Sequence, residues 1–127
     1  MPRPTIAIIG ASPDRAKFGN KAVRAYVGQG YDVYPVNPKG GTIEGLTAYR
    51  SLSEVPLDSF DRISVYLPPA IGLVALDEIA KKSCGELWLN PGSDSPEVVA
   101  KAAALGLNVV QACSIVDVGV SPSTLDA

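Results

Sequence analysis

The chain has no histidine, two cysteines and only 6% aromatic residues among its 127 positions. The lack of imidazole removes the commonest general base and metal ligand. Cys84 and Cys113 are too few for a disulfide scaffold and do not stand at metal-ligand spacing. Charge of one sign is also scarce. Eleven Lys and Arg are scattered against 13 Asp and Glu, for a net charge of −2, which leaves no extended positive field for a nucleic-acid backbone. No apolar run approaches the roughly 20 residues that cross a bilayer, because Pro68, Pro69 and Gly72 interrupt the longest candidate. With no basic-then-apolar leader before the first apolar run, the expected location is a reducing cytoplasm.

What is present belongs to a folded protein. Apolar residues make up 46% and charged residues 19%, enough to offset chain entropy within one domain expected to span residues 1–127. Short runs rich in β-branched residues occur at Thr5–Ile9, Tyr31–Val36, Ile63–Leu67, Glu86–Leu89 and Asn108–Ala112, and each reads as a strand buried on both faces. Between them lie apolar residues at helical spacing: Ala22, Val23, Tyr26 and Val27; Leu73, Leu76, Ile79 and Ala80; Val98, Val99, Ala102 and Ala103. Asn20, Pro69 and Ser95 are placed at the three helix starts, and glycines in GQGYDV, KSCGELW and ALGLNV between helix ends and strands. A short helix is expected at Ser51–Val55 and a brief edge strand at Leu46–Tyr49. Such alternation implies right-handed βαβ units and an α/β fold. The expected architecture is a Rossmann-like domain with an open, mostly parallel sheet of five or six strands and helices on both faces.

Ligands of open parallel sheets bind outside the carboxyl ends of the strands, and the unusual residues collect there: GASPDRAKFG, NPKGG, PPAIG and NPGSDS after the first four strands. Gly10, Ala11 and Ser12 form the turn after the first strand, where exposed amides near a helix start suit a pyrophosphate. The dinucleotide template G-x-G-x-x-G fails, with Ser12 and Arg15 where glycines would stand. The second strand ends in Asn37, Pro38 and Lys39 rather than the acid that takes up the ribose of NAD. Arg15, Lys17 and Lys39 thus point to a ligand richer in phosphate, such as coenzyme A or NADP. Phe18 is the candidate cover for an adenine face, and Cys113 falls near the binding edge. No activated nucleophile, metal site or acid pair is evident, so no catalytic residue is assigned.

The stretches IAIIGAS, Lys17 and Phe18, GYDVYPVNPKGGTIEGLTAYRSLSEV, VYLPPA and LWLNPGSDSPEVVAKAAALGLNVVQACS together resemble the CoA-binding domain family. That family includes small stand-alone bacterial CoA-binding proteins and the amino-terminal domain of the succinyl-CoA synthetase α subunit. The resemblance implies that Gly10, Ala11 and Ser12 contact the CoA diphosphate and that Lys17 and Phe18 flank the nucleotide. It places Asn37, Pro38 and Lys39 on the adenosine side, with Tyr66, Leu67 and Pro68, and Asn90 to Gly92, forming the other wall. LNPG departs from the LQ-G pattern of stand-alone members, which puts the role of Asn90 in question. The function expected is binding of coenzyme A or an acyl-CoA without chemistry of its own. The rivals are an NAD(P)-binding redox sensor or reductase, and a subunit of an acyl-CoA ligase. A small-molecule nucleotide ligand is the expected partner; a homodimer or a partner protein is left open. On this reading Gly10→Asp abolishes binding by setting a carboxylate against the diphosphate, with the fold left intact.

Overall fold

Five parallel strands carry the architecture, which the computed structural model describes for residues 3–125. They are β1 (Thr5–Ile9), β2 (Asp32–Val36), β5 (Ser59–Val65), β6 (Ser83–Leu89) and β7 (Val109–Val110), in the spatial order β2-β1-β5-β6-β7. Two further short strands, β3 (Thr42–Ile43) and β4 (Leu46–Thr47), pair antiparallel as a hairpin. Helices α1 (Phe18–Gly28), α2 (Pro69–Ile79), α3 (Pro96–Ala104) and α4 (Ser114–Asp117) follow β1, β5, β6 and β7.

Alternation along the strands assigns each side chain to a layer. In β1, Ile6 and Ile8 face α1, where they meet Ala22, Val23 and Tyr26, together with Ile115 of α4. Ala7 and Ile9 face the opposite side and join Ile63, Val65, Leu87 and Leu89 under Leu76 and Ile79 of α2 and Val98 and Ala102 of α3. The fold expected from the alternating pattern is therefore the one observed. From β1 the chain moves outward to β2, then crosses back to the other side of β1 as β5. The carboxyl ends of β1 and β5 thus flank the point where strand order reverses, the usual mouth of a ligand site in this architecture.

Several local expectations need correction. Asn20 does not cap α1: Lys17 occupies that place without a side-chain cap bond, and Asn20 lies buried within the first turn. Its amide is instead recruited by tertiary partners described below. Gly85 and Cys84 sit inside β6 rather than at a helix end. A Cβ on Gly85 would stand 2.8 Å from the Asp61 carbonyl oxygen, so this glycine serves close strand approach. The last strand shrinks to two residues, Val109 and Val110, which pair with Leu87 and Trp88 of β6. Leu46–Tyr49 splits: Leu46 and Thr47 complete the hairpin, while Tyr49 bridges Val36 on the edge of the main sheet. The expected helix at Ser51–Val55 is a single 3₁₀ turn, Leu52–Glu54.

Candidate functional site

A cleft of 740 Å³ opens at the strand-order reversal, lined by Gly10, Ala16 to Gly19, Tyr66 to Pro69, Asn90 to Ser93 and Cys113. The β1–α1, β5–α2 and β6–α3 turns build most of it, and the segment between β7 and α4 adds Cys113. Of the residues expected from sequence, it brings together Gly10, Lys17, Phe18, Tyr66, Leu67, Pro68, Asn90 and Gly92. Phe18 is the first residue of α1 rather than a loop residue; it is 53% exposed, and Lys21 Nζ lies 5.3 Å from its ring centroid.

The other expected residues lie outside the cleft wall. Ala11 is buried. Ser12 Oγ accepts from the Asp14 amide at 3.1 Å, which shapes the turn. Asn37 Nδ2 donates to the Ala11 carbonyl at 2.8 Å and its Oδ1 accepts from the Lys39 amide at 2.8 Å, tying the end of β2 to the turn after β1. Pro38 and Lys39 are exposed beside it. Arg15 points to the hairpin, where its guanidinium meets Glu44 Oε1 at 2.5 Å.

The floor of the cleft is polar and internally satisfied. Asn90, 1% exposed, donates through Nδ2 to Ser64 Oγ at 2.8 Å and to the Val65 carbonyl at 2.9 Å, and accepts at Oδ1 from the Ser114 amide at 2.9 Å. The asparagine in LNPG is thus a clamp that draws the Cys113–Ser114 segment against β5. Ser64 and Ser114 hydroxyls meet at 2.7 Å, and the Tyr66 hydroxyl reaches Ser114 Oγ at 3.1 Å. Burial pushes the Tyr66 phenol up to about 12, so at neutral pH it is an uncharged hydroxyl. Behind it the Tyr26 hydroxyl donates to the Ser114 carbonyl and accepts from Arg62, whose guanidinium pairs with Glu86 and Asp117 and stacks on Trp88.

The resemblance places Pro91 on the cleft wall with Asn90 and Gly92, and Pro91 does line it; the sequence gives Pro69 only a helix start and Ala16, Gly19 and Ser93 no role in the site. Ser93 Oγ donates to the Leu67 carbonyl at 2.8 Å and accepts from the Leu67 amide at 3.0 Å, buttoning two cleft loops together. Gly19 was legible as a second glycine following Gly10. A Cβ on Gly19 would lie 2.1 Å from the Gly10 carbonyl oxygen, and one on Gly10 would lie 2.3 Å from that of Tyr66. Gly10 also holds φ at 91°, where a side chain is strained. The expectation that Gly10→Asp leaves the fold intact is therefore corrected: the clash and the backbone strain precede any effect on a ligand.

Among the described residues no helix is long and apolar enough to cross a membrane, and no group of three or more His, Cys, Asp or Glu converges. Comparison with known proteins gives the family. The family described as the CoA binding domain matches residues 4–119. The α subunit of an ADP-forming acetate–CoA ligase from Pyrococcus furiosus is 33% identical over 84 residues, 61% of this chain and 18% of that protein. The chain spans between 11% and 18% of the length of the curated relatives it matches. Among solved structures, a conserved hypothetical protein from Pyrococcus furiosus is 34% identical with a TM-score of 0.79, covering 91% of this chain and 98% of that one. An acetyl-coenzyme A synthetase from Ca. Korarchaeum cryptofilum, solved with phosphate and ADP, is 27% identical with a TM-score of 0.72, over 85% of this chain and 25% of that one. With residues 4–119 matched and the sheet, its strand reversal and its cleft in place, the chain belongs to the CoA binding domain family, whose ligand is coenzyme A.

Proposed function

We propose that the domain holds coenzyme A or an acyl-CoA in the cleft at the strand-order reversal and performs no chemistry of its own. The cleft itself carries this reading: its size falls in the usual range for small-molecule sites, and one cation, one exposed ring and the starts of α1 and α2 share its rim. The amides of Asn20 and Lys21 already donate to the Lys17 carbonyl. Those of Phe18 and Gly19 then serve as the first-turn donors for the diphosphate, with Lys17 neutralising it. The face of Phe18 away from Lys21 covers the adenine. Arg15 and the Asn37–Lys39 segment lie on the adenosine side, and the prolines of the other two loops flank the pantetheine arm.

Denaturing the purified protein and identifying the released small molecule by mass spectrometry tests this directly. Coenzyme A or a thioester of it is expected; NADP in its place overturns the reading. A second role, as one component of an acyl-CoA ligase, draws support from the ligase subunit among the relatives. Co-purification of a partner chain that confers acyl-CoA synthesis is its test.

A further inference from the structure

Glu44 is the one non-glycine residue with positive φ among the described residues, at 50°, followed by Gly45 at 79°. The pair forms the two-residue turn of the β3–β4 hairpin, a geometry that favours Asn or Gly over a long side chain at its first position. The Glu44 carboxylate points at the β1–α1 segment. Oε1 meets the Arg15 guanidinium at 2.5 Å, and Oε2 accepts from Asn20 Nδ2 at 3.1 Å. Asn20 is fully buried and fixed: Nδ2 also donates to the Ser12 carbonyl at 2.9 Å, and Oδ1 accepts from Arg24 Nε at 2.8 Å. A guanidinium from the loop before α1 and an amide from its first turn thus meet a carboxylate carried on an exposed hairpin tip, and Arg15 directly precedes Ala16 and Lys17 of the cleft wall. A carboxylate there opposes a polyanionic ligand unless it moves aside.

We propose that Arg15 and Asn20 form a subsite for a phosphate monoester, that Glu44 closes this subsite as a latch, and that a ligand's terminal phosphate displaces it. The donors are satisfied by one anion or the other, so opening leaves no buried polar group orphaned. Resting on the coenzyme A reading, the displacing group is the 3′-phosphate of that molecule. The hairpin is suited to the exchange, since only two residue pairs hold it together while buried Ile43 anchors its base.

The test is titration calorimetry of the whole protein with coenzyme A and with 3′-dephospho-CoA, on the wild type, Glu44→Gln, Arg15→Gln and the double variant. Glu44→Gly, which suits the turn, is a second version of the opened latch. Opening is expected to tighten coenzyme A about tenfold, to leave dephospho-CoA nearly unchanged, and to give no gain when Arg15 is absent. Equal gains for both ligands, or a gain that persists without Arg15, overturn the latch while the coenzyme A reading stands. Failure of every variant to bind either ligand overturns both.

Discussion

Gly10 combines a left-handed backbone with a carbonyl contact that admits no Cβ. Gly10→Ala is expected to cost about 2–4 kcal/mol, measured as a lower urea midpoint at unchanged slope. A null effect would mean that β1 and β5 can part at their carboxyl ends. At Tyr66 burial holds the phenolic proton more tightly in the fold than in the unfolded chain. Its contribution to stability is complete below pH 10 and is lost as pH rises through about 12. Burial also raises the Tyr26 phenol, so ultraviolet phenolate titration should show both tyrosines ionising late, and Tyr66→Phe should reduce the amplitude of that late phase by one tyrosine. Residues such as Gly10, Lys17, Phe18 and Asn90 were legible because each follows the end of a strand, where topology concentrates ligand contacts. Ser93 was not, since its role lies in both polar groups of Leu67, 26 residues away, and nothing local marks such a bond. Asn20 had the chemistry of a cap, but burial, two partners outside the helix (Ser12 and Glu44) and Arg24 one turn on claimed it first.

Among the elements, α3 most closely follows its sequence signals. Ser95 Oγ accepts from the Val98 amide at 3.3 Å, Pro96 occupies the first turn and Glu97 complements the helix dipole. Ser95→Ala is expected to destabilise by about 1 kcal/mol, read from the thermal or urea midpoint, with Ser95→Asn restoring it. If Ser95→Ala is neutral, the cap contributes nothing beyond what water supplies. The helices were legible from apolar spacing, whereas the strands were legible in their cores and less so in their lengths. β5 extends back to Ser59 because it is flanked by β1 and β6, with Thr5 and Asp61 exchanging hydrogen bonds. β7 has one neighbour and keeps only its two valines. Strand length here follows how many residues each pairing aligns, five between β1 and β2 but two between β6 and β7, which composition does not record.

For the molecule as a whole, the alternation of strand and helix was sufficient for the fold, and the edge on which unusual loops collect was sufficient to place the cleft. The orientation of the residues expected to hold a nucleotide was less legible, because Asn37 turns its amide to the turn after β1 and Arg15 its guanidinium to the hairpin. Binding should stabilise the native state in proportion to ligand concentration. A hundredfold excess of coenzyme A over its dissociation constant is expected to add about 2.7 kcal/mol, or roughly 10 °C in melting temperature. The check is differential scanning calorimetry, with NADP at the same concentration producing no comparable shift. Equal shifts would show that the cleft does not distinguish the two nucleotides.

Asn90, Ser93 and Tyr66 line the cleft, yet each turns its polar head toward another part of the protein. A surface that has spent its hydrogen bonds inward has little with which to sort the guests lying on it. For a ligand seated as proposed, discrimination would therefore fall to the rim, and a tail resting on the floor would be free to vary in chemistry without loss of grip.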